Sequence, residues 1–195
     1  MMDIVLELDI TLLYTRPAIW RRVQVPPRMN LHELHCVVQL AMGWHNCHLY
    51  QFIQGNRDEY ITLPSEFDWE TPTDSRTVLV GDYLADKGEK IAYEYDFGDG
   101  WMHEIKVRNV LDADPAQQYP RLVAGERACP PEDCGGTPGF AELLQAMQNP
   151  RGGPKKIRAN QPKSASSALP SCPARPPVKI RVLRVAILPG SFQAT

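Results

Sequence analysis

The sequence contains no apolar stretch that approaches the roughly 18 residues needed to span a bilayer as a helix. Its N-terminal region has no basic cluster, and Glu7 and Asp9 interrupt the hydrophobic positions there, which argues against a secretory signal peptide. Cysteine is scarce and odd in number, at five, in a chain long enough to fold without disulfide bonds. We therefore expect reduced thiols, a cytoplasmic location and no membrane partner.

The sequence also lacks the short motifs of several large enzyme classes. It contains no P-loop, no Gly-x-Gly-x-x-Gly fingerprint after a predicted strand, no Gly-x-Ser-x-Gly and no His-Glu-x-x-His. These absences argue against the usual NTPases, dinucleotide-binding domains, α/β-hydrolases and zinc metallopeptidases. Internal repeats are missing as well, so the sequence does not predict a repeat protein.

Acidic residues are absent from residues 151–195. This segment holds nine of the 21 Lys and Arg residues, seven of the 18 Pro residues and one aromatic residue. Residues 1–150 hold the other 12 Lys and Arg and all 23 Asp and Glu, so their formal charge is −11, against +9 for the final segment. We predict one folded acidic domain over residues 1–150 and a basic, Pro-rich tail over residues 151–195 that is mostly disordered.

The first part of the chain predicts a hairpin followed by a helix. Apolar and polar residues alternate over Ile4–Leu12, and a second strand, Ile19–Val25, ends before two prolines. Asn30 followed by Glu33 is typical of a helix N-cap with a capping box, and Gly43 marks the end of that helix. Helices beside consecutive hairpins indicate an α+β fold with a mainly antiparallel sheet.

Later segments predict fewer regular elements. Residues 48–53 are interpreted as a strand and residues 78–85 as a short helix, with a polar loop over residues 64–76 between them. A loop is predicted from Asp112 to the cysteine-containing segment, and Thr137 is the predicted N-cap of a second helix.

The clearest hairpin surrounds the turn at residues 98–100, Gly-Asp-Gly. A three-residue loop there would pair Phe97 with Trp101 and Tyr95 with His103. This register places the aromatic residues and His103 on the core face and the charged residues on the opposite face. A two-residue loop would exchange the two faces, so the longer loop is predicted.

The same hairpin carries residues that are capable of chemistry. Asp96, Asp99 and His103 lie within eight residues of one another around a tight loop. Two carboxylates with an imidazole could bind a cation or exchange protons. Alternatively, the two glycines adopt unusual backbone angles and Asp99 hydrogen-bonds the loop backbone, which is the usual role of an aspartate in a turn.

Cys129 and Cys134 enclose four residues, a spacing within the range of zinc knuckles. One such pair supplies half of a structural zinc site, and Glu132 and Asp133 could add oxygen ligands. The histidines that could complete the site are His45, His48 and His103. The alternatives to zinc are two buried thiols or a redox-labile pair, so zinc is a candidate cofactor only.

Five segments of the sequence resemble one known family. They are Trp20-Arg21 with Val23, Met42-Gly43-Trp44, residues 48–52, residues 93–101 with His103, and residues 125–136. In these segments the sequence is similar to the plasmid pRiA4b ORF-3-like family. The resemblance covers residues 3–150, and its most specific parts read Tyr-Glu-Tyr-Asp-Phe-Gly-Asp-Gly-Trp and Cys-Pro-Pro-Glu-Asp-Cys-Gly-Gly.

The resemblance implies a compact α+β fold, a bacterial or archaeal source and an association with plasmids or insertion elements, with no settled activity. The candidate residues in the family motifs are Asp96, Asp99, Trp101, His103, Glu132 and Asp133. Some family members carry a resolvase-like label, but a serine recombinase needs a serine near its N-terminus and the first serine here is Ser65. Members usually continue past residue 150 into an acidic helical segment, so we expect a frameshift or a replaced terminus in this chain.

These observations predict an accessory domain of mobile-element origin that binds a protein or nucleic acid, rather than an enzyme. A metal-dependent, hydrolase-like enzyme that uses Asp96, Asp99 and His103 is the alternative. A third interpretation is a nucleic-acid binder that acts through the cations of the tail. The candidate metal ligands are Cys129, Cys134 and His103.

Overall fold

Alternating apolar and polar residues build most of the sheet. The structure is a computed structural model and describes residues 3–55, 59–65, 72–148 and 181–182. In chain order its elements are β1 (Ile4–Leu12), β2 (Ile19–Val25), α1 (Leu31–Met42), β3 (Tyr50–Gln54), β4 (Glu59–Thr62), β5 (Thr73–Asp74), β6 (Lys90–Tyr95), β7 (Trp101–Asp112), β8 (Arg121–Glu126), α2 (Gly136–Gln148) and β9 (Arg181–Val182).

Within the described residues, all nine strands form one sheet in the order β5-β4-β3-β6-β7-β1-β2-β8-β9. Neighbouring strands are antiparallel except at the two edges, where β4 pairs with β5 and β8 pairs with β9 in parallel. This arrangement confirms the predicted α+β fold with a mainly antiparallel sheet.

The two faces of β1 differ in polarity. Leu6, Leu8 and Ile10 are fully buried in the core. Glu7 and Asp9 point to the opposite face, where Arg22 lies 2.6 Å from Asp9 and Arg108 lies 3.3 Å from Asp9. A register slip of one residue would bury both carboxylates, so the alternation of apolar and acidic residues specifies the pairing register of β1.

Helix α1 begins and ends as the sequence predicts. The side chain of Asn30 accepts a hydrogen bond from the Glu33 amide, and the Glu33 carboxylate accepts one from the Asn30 amide, both at 2.9 Å. Gly43 ends the helix with a φ of 82°, which favours glycine. Leu31 and Leu34 are buried beneath the helix, so its apolar side faces the sheet.

The predicted register of the β6–β7 hairpin is wrong by two residues. Tyr95 pairs with Trp101 and Tyr93 pairs with His103, and Phe97 is 49% exposed instead of packing in the core. The faces remain as predicted, because a shift of two residues preserves the alternation. The cause is Asp96, which has a φ of 57° and ends the strand before Phe97.

Two strands within regions predicted as loops were missed. β8 has no clear alternation in its sequence, and its residues become a strand through pairing with β2. β5 is a two-residue strand that pairs with β4. The predicted short helix is a single 3-10 turn over Val80–Asp82, and α2 begins before its predicted cap at Thr137.

The predictions for the tail mostly lie outside the described residues. Only β9 is described there, and it pairs with β8 and forms the edge of the sheet. The predicted disorder of the tail and the domain boundary at residue 150 stay predictions. None of the helices in the described part of the chain is both long and apolar enough to cross a membrane.

Candidate functional site

Three loops meet at one end of the sheet. They comprise residues 44–49 after α1, residues 96–100 between β6 and β7, and residues 129–136 between β8 and α2, and we call them the three-loop surface. The indole N–H of Trp44 donates a hydrogen bond to the carbonyl of Pro130 at 2.9 Å. This buried bond ties the first loop to the third.

The second loop is tied to both of the others. The amide of Asp96 donates to the carbonyl of Leu49 at 2.9 Å. The carboxylate of Asp99 accepts a hydrogen bond from the Gly135 amide at 3.2 Å. Gly136 has a φ of 65°, and a Cβ there would lie 2.3 Å from the Asp99 carbonyl oxygen. The close approach of these loops therefore requires glycine at residue 136.

Glu132 lies where the loops converge. One carboxylate oxygen accepts hydrogen bonds from the His45 amide at 2.9 Å and from His45 Nδ1 at 2.5 Å. The other accepts from the Tyr95 hydroxyl at 2.6 Å. Burial raises the pKa of Glu132, but the hydrogen bonds from Tyr95 and His45 outweigh it and hold the pKa below its usual value. Glu132 is therefore an ionised acceptor that joins the first loop, the third loop and the end of β6.

Replacing Glu132 with glutamine should lower the free energy of unfolding by about 1–3 kcal/mol. Glutamine preserves the shape of the side chain, but its NH2 group replaces one of the carboxylate oxygens that accept hydrogen bonds from Tyr95 and His45. Two donors would then face each other, which leaves a partly buried donor without an acceptor. Urea titration at pH 7 would measure the loss. Glu126→Gln is the matched control, since Glu126 is exposed and should change stability little. Equal losses in the two variants would contradict the role given to Glu132.

Asp96 is buried, and one of its carboxylate oxygens bonds the backbone of its own loop. Its Oδ1 accepts hydrogen bonds from the amides of Gly98 at 3.0 Å and Asp99 at 3.4 Å. The structural interpretation of this turn gave that role to Asp99, whose carboxylate instead bonds the third loop. Its Oδ2 faces His48 Nδ1 at 3.6 Å, and His48 Nε2 lies 3.4 Å from Asp133 Oδ1. One ligand atom from each of His48, Asp96 and Asp133 can be chosen so that all lie within 4.8 Å of one another.

The three loops lie within a longer part of the chain that matches a known family. The family model described as plasmid pRiA4b ORF-3-like protein matches residues 4–161. The chain belongs to the plasmid pRiA4b ORF-3-like family. The sequence resemblance is therefore confirmed, and the match continues eleven residues beyond the predicted boundary at residue 150.

Two relatives of this pRiA4b ORF-3-like chain extend the comparison. An uncharacterized protein of Sinorhizobium fredii (strain NBRC 101917 / NGR234), y4hQ, is 42% identical over 147 residues, which are 75% of this chain and 74% of the relative. The crystal structure of MM3350 from Methanosarcina mazei Go1, a protein of unknown function, matches with a TM-score of 0.69 and 30% identity. That match covers 76% of this chain and 83% of the solved one. The first relative is similar to this chain in sequence and the second in sequence and fold, and neither description names an activity.

In this family member, Trp101 and His103 lie in the core and away from the His48 cluster. Both are fully buried on β7. His103 Nδ1 lies 3.0 Å from the carbonyl oxygen of Trp101, and its ring packs edge-on against Trp44. Burial lowers the pKa of His103 to about 4, so the ring is neutral at pH 7. The hydrolase interpretation requires His103 to lie beside Asp96 and Asp99, and the structure does not bring these residues together.

The family's two cysteines are partly buried against the core. The guanidinium of Arg21 donates to Cys129 Sγ at 2.9 Å, and that sulfur lies 3.2 Å from the sulfur of Met42. Burial raises the pKa of Cys129 despite the nearby Arg21, and burial with Asp99 raises the pKa of Cys134. Among the described residues, neither thiol belongs to the group that could hold a metal ion.

A buried polar network under α1 was missed from the sequence. His35 Nδ1 lies 2.7 Å from the Tyr93 hydroxyl and His35 Nε2 lies 2.6 Å from Asn46 Oδ1, while Gln39 donates to the same hydroxyl at 3.1 Å. Burial lowers the pKa of His35 to about 3. The sequence contains one indication that His35 is buried: residue 35 follows the apolar residue Leu31 by four positions, so both lie on the same side of the helix.

Proposed function

We propose that this chain is an accessory binding domain of mobile-element origin that acts in the cytoplasm and holds a protein partner on the three-loop surface. The observation that carries the proposal is a pair of apolar side chains beside the polar cluster: Leu49 is 65% exposed and Phe97 is 49% exposed. The backbone hydrogen bond from Asp96 to Leu49 links the chain segments that carry them. Exposed apolar residues rimmed by polar groups are typical of protein-binding sites.

The hydrogen bonds between the loops support the proposal that the exposed side chains of Leu49 and Phe97 bind a partner. The hydrogen bonds of Asp96, Asp99 and Glu132 described above join the loops that carry Leu49 and Phe97. A preorganised surface loses little conformational entropy when a partner binds. Apolar anchors on fixed backbone therefore provide affinity at a small ordering cost.

The charge of the surface supports a protein partner over nucleic acid. Asp99 and the exposed Asp133 belong to the same three-loop surface as the apolar pair, and phosphate groups would be repelled by these carboxylates. A partner segment with apolar side chains and nearby Lys or Arg would match both features. The family takes its description from a plasmid open reading frame, which supports the mobile-element origin.

Replacing Leu49 and Phe97 together with aspartate should abolish partner binding while the fold is kept. Loss of two apolar anchors is expected to weaken binding by about 1,000-fold, since each central anchor contributes about 2 kcal/mol and about 1.4 kcal/mol is a factor of ten. The full chain, immobilised, would be cross-linked to interacting proteins in an extract of the source organism, followed by mass spectrometry. Tyr14→Asp is the matched control, because Tyr14 is 76% exposed and lies in the β1–β2 turn outside the three-loop surface.

The wild type and Tyr14→Asp should retain the same proteins, and the double variant should lose them. The proposal fails if all three baits retain one set of proteins. It also fails if the retained material is nucleic acid that is released by nuclease and lost when residues 151–195 are removed. That second result would favour the nucleic-acid interpretation of the tail.

A further inference from the structure

We propose that His35, Gln39 and Tyr93 position the first loop of the three-loop surface through a closed network of hydrogen bonds with Asn46, which we call the His35 network. Gln39 donates to the Tyr93 hydroxyl at 3.1 Å, and that hydroxyl lies 2.7 Å from His35 Nδ1. His35 Nε2 lies 2.6 Å from Asn46 Oδ1, and the Asn46 amide donates to Gln39 Oε1 at 3.1 Å. The importance of this loop rests on the proposed function, since the loop carries Leu49.

The direction of each hydrogen bond in the His35 network follows from one fixed donor. The backbone amide of Asn46 can only donate, so the carbonyl oxygen of Gln39 accepts and its NH2 group faces Tyr93. The Tyr93 hydroxyl accepts that bond and donates its own proton to His35 Nδ1. The Nε2 of His35 then carries the ring proton and donates to Asn46 Oδ1. His35 is therefore a neutral imidazole in a single tautomer, with its proton on Nε2.

The burial of the His35 network indicates that it does more than fill the core. His35, Gln39 and Tyr93 are all buried between α1 and the sheet. Polar side chains in a core carry a desolvation cost that apolar residues of similar size avoid, and only a fully bonded network offsets it. Asn46 closes the network and is its only member outside α1 and β6. What the network adds to an apolar core is therefore a fixed position for residue 46.

The backbone at Asn46 needs this support. Its φ is 57°, in the left-handed region that residues other than glycine adopt only when their surroundings hold them there. Both the amide and the side chain of Asn46 are bonded to α1, so this conformation is fixed from two directions. Three residues later, the carbonyl of Leu49 accepts the Asp96 amide at 2.9 Å. The loop is thus anchored to the core at residue 46 and to the second loop at Leu49.

Tyr93→Phe in the full chain tests the His35 network at a residue outside the loop. The change removes one hydroxyl and keeps the ring, and among the described residues this hydroxyl has no hydrogen bond to residues 44–49. Amide hydrogen exchange of residues 44–49, measured by mass spectrometry, should accelerate at least about 10-fold relative to exchange of β1, because the break leaves buried polar groups without partners. In the wild type at pH 7, the nitrogen NMR shifts of the His35 ring should show a proton on Nε2.

Tyr50→Phe is the matched control. Its hydroxyl is also buried, but it lies 2.8 Å from His32 Nδ1 and 2.8 Å from Ser75 Oγ, outside the His35 network. This variant should leave the exchange of residues 44–49 relative to β1 unchanged. Equal acceleration in the two variants, no acceleration in Tyr93→Phe, or a ring proton on Nδ1 of His35 would each overturn the proposal. The tautomer is measured in the wild type, so that test stands even where Tyr93→Phe does not fold. Neither measurement requires a partner, so failure of the proposed function would leave both results unaffected.

Discussion

Replacing Trp101 with alanine is expected to lower the free energy of unfolding by about 3–5 kcal/mol, the range for large aromatic residues removed from a core. Trp101 is fully buried on the core face of β7, and its ring centroid lies 6.0 Å from that of Trp44. Truncation would leave a cavity next to Trp44, whose indole holds the first loop to the third. Urea denaturation followed by far-UV circular dichroism would measure the change.

Two substitutions in the same hairpin are controls. Lys106→Ala removes an exposed side chain from β7 and should change stability by less than about 0.5 kcal/mol. Phe97→Ala removes a half-exposed ring and should cost much less than Trp101→Ala. Equal losses for Trp101→Ala and Lys106→Ala would contradict the assigned faces of β7. A loss for Phe97→Ala as large as that for Trp101→Ala would support the three-residue loop predicted from the sequence.

Lowering the pH from 7 to 5 should reduce the free energy of unfolding by about 4 kcal/mol through two buried histidines. The folded-state pKa values are about 3 for His35 and about 4 for His103, against an ordinary value of 6.5. Between these values the unfolded chain binds protons that the folded chain does not, so stability falls as the pH falls. The stabilisation is complete above pH 6.5, and each histidine loses about 2 kcal/mol by pH 5.

Urea titrations at both pH values would measure this dependence, and His35→Gln is the informative variant. It should be less stable than the wild type at pH 7, but its loss between pH 7 and pH 5 should shrink to about 2 kcal/mol, the share of His103. A wild-type chain whose stability is the same at pH 7 and pH 5 would show that these histidines are not buried in neutral form. An unchanged pH dependence in His35→Gln would assign the effect to other groups.

Features fixed by neighbouring residues were predictable from the sequence. The alternation in β1 and the reciprocal hydrogen bonds of Asn30 and Glu33 involve residues close in the chain, and both are present as predicted. The hairpin register failed because it depends on one backbone angle at Asp96, which no period-two pattern encodes. The sequence did not predict β8 for a related reason: its pairing with β2 is set by tertiary structure and not by its own residues.

The candidate site was only partly predictable. Asp96, Glu132 and Asp133 are candidate residues from two sequence motifs, and the structure places all three on the three-loop surface. The sequence grouped Asp96 with His103 because they are close in the chain. Asp96, however, lies in the loop after β6, whereas His103 lies on β7 with its side chain buried in the core. His48, which is distant in sequence, occupies the place beside Asp96.

The position of β1 has a consequence for how the protein is made. β1 is the first strand of the chain, yet it lies between β2 and β7 near the centre of the sheet, and it pairs with β7 from Leu12 opposite His103 to Ile4 opposite Asp112. On the ribosome, one side of β1 therefore has no partner until β7 has been synthesised. Pairing between such distant segments also slows folding, because the intervening chain must be ordered first. The alternation of buried and charged residues on β1 would thus serve during synthesis too, since a strand with Glu7 and Asp9 on one face is a poor partner for the wrong strand.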